Sequence, residues 1–278
     1  MKFAKYHGIG NDFIMVSDLE DEIELTAEVV RRLCDRHFGI GGDGVIRLVP
    51  GRAEADFFMD YSNADGSRGE MCGNGIRCLA RFVVDEGLTR ARAMKIDTRA
   101  GLKLVEFQGD GLIRVDMGAP SFRPAGIPMR WDGSDALHAK VDLPDEVVGV
   151  AALSMGNPHA VLFVDDPDEA PVTSLGPAIE RSDSFPNGAN VEFVVVPAPD
   201  RVRMRVWERG VGETLACGTG AAAAAVAARL LKSADPEMIV ALPGGELEVE
   251  WRGGLDVSAP VYMTGPAEKS FEGEVEIA

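Results

Sequence analysis

Two cysteines in this chain stand in matching surroundings: Cys72-Gly73-Asn74-Gly75 and Cys217-Gly218-Thr219-Gly220, each followed by a run with helical character. Glycines flanking a helix start let several backbone N–H groups converge on one spot, and the helix adds unsatisfied donors and a partial positive charge. A carboxylate fits there, and the same field favours the thiolate form of a neighbouring cysteine. One such motif can therefore hold an anion beside a base. Two, facing one cleft, would bring two sulfurs to opposite sides of a bound carbon. A thiolate would remove an α-proton and a thiol would return one on the other face, which inverts a stereocentre on a small amino acid without a cofactor. Helix dipoles on the substrate carboxylate and exclusion of water would stabilise the carbanion. The plain alternative is that each cysteine is a small buried apolar residue beside a glycine turn; its occurrence twice, at matching places, favours the chemistry. Cys34 and Cys78 fall inside predicted helices near apolar positions and are expected to pack.

The elements that must position these sulfurs are written twice. Gly10-Asn11 returns as Gly156-Asn157 at an offset of 146, and Cys72 returns as Cys217 at an offset of 145. The pairs Gly101/Gly109 and Gly245/Gly253 follow at an offset of 144. Three landmarks in order, with so little drift, imply two equivalent halves. The proline-rich stretch from Gly118 to Pro128 reads as their linker. The expected division is 1–118 with a tail, 264–278, returning to it as an extra strand, and 119–263. Within each half the pattern is strands around a helix. Leu102, Leu104 and, after a phase slip, Phe107 alternate with polar residues before the turn Gly109-Asp110-Gly111, then Ile113, Val115 and Met117 resume, as in a hairpin. Leu247, Val249 and Trp251 alternate with glutamates before Gly253-Gly254, and Leu255 and Val257 should complete the same hairpin. Ile76, Leu79, Ala80, Val83 and Val84 mark one face of a helix that Gly87 should stop. Ala221 to Ala228 is apolar all round, so its helix should be buried on every side. A third helix is expected over Ala27 to His37, capped by Thr26.

Composition narrows the function. The chain has 278 residues with 45 acids against 28 bases, a formal charge of −17, and no Lys/Arg-rich run, which argues against nucleic acid or an anionic membrane as partner. The opening residues lack an apolar signal core, and the alanine run is far too short to span a bilayer, so the expected compartment is the cytoplasm. Four cysteines there should be free thiols rather than disulfides. Neither Cys72/Cys78 nor the four histidines (His7, His37, His138, His159) show ligand spacing, so no metal is expected.

At these residues the chain resembles the diaminopimelate epimerase family over essentially its whole length. The resemblance is carried by Lys5 through Phe13, by Gly39-Ile40-Gly41-Gly42-Asp43-Gly44, and by Asn63-Ala64-Asp65-Gly66-Ser67 leading to Cys72 through Cys78. In the second half it is carried by Ser154 through His159, Asn187 through Val191, and the most specific run, Glu208-Arg209-Gly210 to Cys217-Gly218-Thr219-Gly220. It implies an α+β fold of two pseudo-symmetric halves, each a barrel-like, mostly antiparallel sheet around a central helix. It implies interconversion of LL- and meso-2,6-diaminoheptanedioate, in lysine and peptidoglycan precursor synthesis, by a homodimer that needs no cofactor. Carried onto this chain, Cys72 and Cys217 would be the acid–base pair. Backbone amides around Gly73, Asn74, Gly218 and Thr219 would hold the reacting carboxylate. Asn11, Asn63, Asn157, Asn190 and Arg209 would read the distal end, and Glu208 would sit near an amino group. A bidentate arginine suits a carboxylate that must be oriented as well as neutralised. His159 would lie behind the site and tune a thiol. Many family members carry Gln where this chain has Gly44.

Two rivals differ in class. A proline-type racemase or a phenazine-pathway-like isomerase shares the duplicated plan. Proline-type enzymes more often carry His after the first Cys-Gly, where this chain has Asn74, and the phenazine-like relatives lack the cysteine pair. A non-catalytic amino-acid-binding protein would have no reason to keep both cysteines.

Overall fold

The computed structural model describes residues 1–133, 135–254 and 257–277. The chain divides into two compact units, Met1–Asp116 with Thr264–Ala278, and Met117–Met263.

In the first unit, β1 (Lys2–Gly8) and β2 (Asn11–Ser17) form a hairpin, followed by α1 (Ala27–Cys34), β3 (Gly44–Pro50), β4 (Phe57–Asn63), α2 (Gly73–Asp85), β5 (Ala93–Asp97), β6 (Lys103–Phe107) and β7 (Ile113–Gly118). β2 pairs parallel with β3 and β4 parallel with β5; the β1–β2, β3–β4, β5–β6 and β6–β7 pairs are antiparallel. The last strand of the chain, Glu268–Glu274, adds antiparallel to the free edge of β1. α2 packs on β1, β2, β3 and that last strand. Its inward residues Ile76, Leu79, Ala80 and Val83 are fully buried, as the three-and-four spacing requires, and Gly87 ends it at φ 70°.

The second unit repeats the order of pairings. β8 (Ala139–Asp142) lies antiparallel to β9 (Val147–Ser154), and β9 to β10 (Pro158–Phe163). After β10 come α3 (Val172–Glu180), β11 (Asn190–Ala198), β12 (Arg201–Glu208), β13 (Gly212–Thr214), α4 (Gly218–Leu231), β14 (Glu237–Leu242) and β15 (Gly245–Glu250). β10–β11 and β12–β14 are the parallel pairs, matching β2–β3 and β4–β5. The registers match too: His159 faces Asn190 as Phe13 faces Gly44. α4 packs against strands from β9 to β15, and every residue from Ala221 to Ala228 is fully buried. Small side chains suit that run, seven alanines and Val226, because a helix enclosed by strands leaves little room around it. The outcome is the α+β class with antiparallel pairs predominating.

Three local expectations change. α1 ends at Cys34 rather than His37, because Asp35 turns its carboxylate onto the N–H groups of His37 and Phe38 and closes a loop instead of extending the helix. In the β6–β7 hairpin Val105 is the inward residue, while Leu102 and Leu104 are exposed; Val105 opposes Val115 in the register, so the β6 phase is opposite to the one the leucines suggest. Leu247, Val249 and Trp251 are buried as expected, and β15 pairs antiparallel with β14. Of the expected continuation past Gly254, Leu255 lies outside the described residues and Val257 sits in an exposed turn.

Candidate functional site

Both motif cysteines are helix N-caps. Cys72 and Cys217 have extended backbones, and each sulfur accepts from the N–H three residues on, Gly75 at 3.4 Å and Gly220 at 3.3 Å. Sulfur thus occupies the place usually taken by a serine or aspartate oxygen. The second glycine of each motif is needed for closeness rather than for a bend. A Cβ on Gly75 would lie 2.8 Å from Ile46 Cδ1, and one on Gly220 would lie 2.9 Å from Glu192 Oε1. Ile46 and Glu192 hold matching places on β3 and β11.

In the first unit Asn11 organises the surroundings of Cys72. Its Oδ1 accepts from Cys72 Sγ at 3.6 Å and from Asn74 Nδ2 at 3.1 Å, and its Nδ2 donates to Asp43 Oδ2 at 2.6 Å. That last bond fixes which end of the amide faces the sulfur. Asp43 is held in turn by Arg36, which also grips Asp12 together with Lys5. Burial works against the Asp12 charge, yet hydrogen bonds from Arg36 and Lys5 pull its carboxyl well below the usual range. Burial pushes Asp43 up against the hydrogen bond from Asn11, and the Asp12 charge adds to the rise. Arg77, fully buried on α2, donates to Asn74 Oδ1 at 2.9 Å, Gly73 O at 3.2 Å and Pro266 O at 3.3 Å. Burial pulls its guanidinium down to about 10, which leaves it charged at neutral pH. Asn63 ends β4 opposite Gly44 and donates to Ser67 Oγ at 3.0 Å. Gly44 has no room for a side chain here: a Cβ would lie 2.6 Å from Ser62 O and 2.7 Å from the Tyr61 ring.

In the second unit a chain of hydrogen bonds leads to Cys217. Glu192 Oε1 lies 2.6 Å from His159 Nδ1, His159 Nε2 lies 2.9 Å from Asn157 Oδ1, Asn157 Nδ2 donates to Thr219 Oγ1 at 3.2 Å, and Thr219 Oγ1 lies 3.5 Å from Cys217 Sγ. His159 and Glu192 are both completely buried. Burial pushes the Cys217 thiol well up, the charges of Glu208 and Glu192 push it further, and the Thr219 and Gly220 hydrogen bonds only partly offset this. The expectation that the helix start alone would favour thiolate is therefore corrected for Cys217: desolvation and two nearby acids outweigh the dipole. Burial also pushes Cys34 up to about 12 and Cys78 up, and both pack as expected.

A second group in the same unit centres on the turn after β12. Asn190 donates to Pro158 O at 3.1 Å and accepts from Arg209 N–H at 3.0 Å, so its amide braces the backbone that carries Arg209. Glu180 accepts from Trp207 Nε1 at 2.8 Å and from Gly210 N–H at 2.7 Å, clamping the turn on both sides of Glu208 and Arg209. Glu208 accepts from Thr214 Oγ1. Arg209 lines a cavity of about 450 Å³ with Arg130, Arg181, Asn187 and Gly188. Among the described residues no cluster of three His, Cys, Asp or Glu is placed to hold a metal ion, and no helix is long and apolar enough to cross a membrane.

Sequence reasoning left out Asp43, Arg77, Glu180 and Glu192. Glu192 had a signal: it is a lone acid in the apolar strand run from Val191 to Val196, where an unpaired charge is costly. Glu180 had none, because an acid at a helix end is ordinary.

The model of the family described as diaminopimelate epimerase matches residues 3–123 and 151–270. The chain is 48% identical to the diaminopimelate epimerase of Heliobacterium modesticaldum over the full length of both, and 46% identical to that of Aromatoleum aromaticum, covering 100% of this chain and 99% of the relative. Among solved structures it is similar to a phenazine biosynthesis protein from Bacillus anthracis (TM-score 0.72, 20% identity, 100% of this chain and 99% of the other). It is also similar to a probable proline racemase from Agrobacterium radiobacter (TM-score 0.73, 17% identity, 100% and 93%). At these identities the structures speak for the fold.

Proposed function

The chain belongs to the diaminopimelate epimerase family, and from that premise we propose that it interconverts LL- and meso-2,6-diaminoheptanedioate by a two-base mechanism at Cys72 and Cys217. The observation that carries this is the repetition of one device: in each unit a cysteine caps a helix start, its sulfur among the N–H groups that would receive a carboxylate. The N–H groups around Gly73, Asn74, Gly218 and Thr219 would bind the carboxylate of the reacting centre and take up charge as the α-proton leaves. One sulfur, as thiolate, takes that proton. The other, as thiol, gives its proton to the opposite face of the carbanion, and the two exchange ionisation states. Every proton and electron pair is accounted for by the substrate and the two sulfurs.

The surroundings support Cys217 as a proton-carrying member when substrate is absent, since Glu208 and Glu192 oppose its charge. Asn11, Asn63, Asn157, Asn190 and Arg209 would orient the distal carboxylate and amine, and Glu208 an amino group. His159 would tune Cys217. A homodimer in the cytoplasm belongs to the same proposal.

The test is α-proton exchange in heavy water with LL-diaminopimelate under reducing conditions. Wild type should incorporate deuterium with inversion. Cys72→Ala and Cys217→Ala should each lose inversion by at least about a hundredfold. No exchange in wild type would sink the substrate assignment.

A further inference from the structure

Glu192 is assigned no contact with substrate above, yet it is a completely buried carboxylate two hydrogen bonds away from Asn157. Its Oε2 has no hydrogen-bond partner among the described residues, while Oε1 meets His159 Nδ1 at 2.6 Å. The other ring nitrogen, Nε2, faces Asn157 Oδ1 at 2.9 Å. Both nitrogens of one imidazole therefore face oxygen. A neutral ring has one N–H, so the second proton must be a second ring proton or a proton on the Glu192 carboxyl. Either way the pair is neutral overall, which suits a site where a net charge with an orphaned oxygen would be costly. Burial pushes Glu192 up, against the pull of His159, in the direction that keeps this proton.

Both placements of the proton leave Nε2–H pointing at Asn157. Its carbonyl end is then the acceptor, its Nδ2–H donates to Thr219 Oγ1 at 3.2 Å, and the Thr219 hydroxyl hydrogen is free for Cys217 Sγ at 3.5 Å. We propose that Glu192 is a positioning residue: acting through His159, it sets the sense of the hydrogen bonds along Asn157 and Thr219 so that Cys217 is offered a donor whenever it must act as the base. This rests on Cys217 being an acid–base residue. The matching places in the first unit are Phe13 and Ile46, which cannot hold such a chain, so Cys72 serves as the internal control.

The groups that bear on Cys217 are Glu192 and Glu208, which oppose its ionisation, and Thr219 and the Gly220 N–H, which favour it. A simple field effect of Glu192 and the proposed positioning predict opposite signs. Site-resolved alkylation of substrate-free protein by iodoacetamide from pH 7 to 10 separates them. In Glu192→Gln either end of the amide can face Nδ1, so the chain can run in either sense and loses its fixed one, and alkylation of Cys217 at a given pH should slow, by up to about tenfold, the worth of one hydrogen bond. Thr219→Val should slow it similarly, Thr219→Ser should keep the wild-type rate, and the Glu192→Gln/Thr219→Val double variant should lose no more than either single one. Cys72 should react at its wild-type rate throughout. Faster or unchanged alkylation of Cys217 in Glu192→Gln, or losses that multiply in the double variant, would overturn the proposal. A check without any variant uses protein labelled with ¹⁵N-histidine: His159 should show an N–H at Nε2, donated to Asn157, and a bare Nε2 overturns it. Alkylation and ring protonation are read without turnover, so a wild type that epimerises while these outcomes fail sinks the positioning role alone.

Discussion

The helix starts at Cys72 and Cys217 are the same in backbone and opposite in what lies behind the sulfur. Both cysteines are extended N-caps accepting from the third N–H, and both motifs end in a glycine pressed against the matching strand. Behind Cys72 that strand offers Ile46, with Phe13 beside it and the buried Arg77 on the helix itself. Behind Cys217 it offers Glu192 paired with His159, and the helix carries Ala222 where the first unit has Arg77. A repeated backbone thus presents one sulfur to a cation and the other to acids. For the proposed reaction, in which one sulfur would take a proton and the other give one, duplication repeats the local geometry and substitution supplies the difference.

The largest effect should come from forcing the two sides to be alike. Ile46→Glu would install the carboxylate of the second unit where Phe13, not a histidine, holds the place of His159, with nothing to share a proton, and should cost about 3–5 kcal/mol in urea unfolding. Arg77→Met tests the cation directly. It leaves Asn74 Oδ1 and Gly73 O without this donor, a loss of about 2–3 kcal/mol, and alkylation of Cys72 should slow while that of Cys217 does not. The reverse exchange is gentler. Glu192→Ile alone strands His159 Nδ1 and should lose about 1–3 kcal/mol, whereas His159→Phe with Glu192→Ile installs the apolar pair of the first unit and should recover that stability while epimerisation falls. A double variant less stable than the single one would show that the two cores are not interchangeable.

The smallest effect is on pH dependence. Burial raises the thiols of Cys34, Cys78 and Cys217 above their unfolded values. In the unfolded chain a thiol ionises near about 8.5. Their contribution is fully present below that pH and is lost as pH rises, because the unfolded state then releases protons that the folded state keeps. Each thiol should steepen the alkaline decline by up to about 1.4 kcal/mol per pH unit, and Cys34→Ala should flatten it by one such share in urea titrations from pH 8 to 10.

Much of the scaffold was legible because it depends on neighbours in the chain. The spacing of Ile76, Leu79, Ala80 and Val83 marked the buried face of α2, Thr26 marked the start of α1, and the unbroken alanines marked α4 as enclosed. Where a local pattern failed, a distant partner or a competing local bond was responsible: Val115 across the hairpin decides that Val105 rather than Leu104 faces inward, and the Asp35 carboxylate stops α1 three residues early. In the candidate site the cysteines were visible as a repeated motif, while Glu180 and Glu192 matter through contacts with residues 27 to 33 positions away.

The sequence by itself determined that this protein carries one device twice, since a cysteine, two glycines and a following helix are consecutive residues whose geometry follows from local backbone rules. Only the tertiary structure decided that the two copies differ in charge. Arg77 stands near Cys72 in the chain, but whether it or the acids Glu192 and Glu208 bear on a sulfur depends on which side chains are buried beside it. Burial strengthens those charges, because no water remains to screen them.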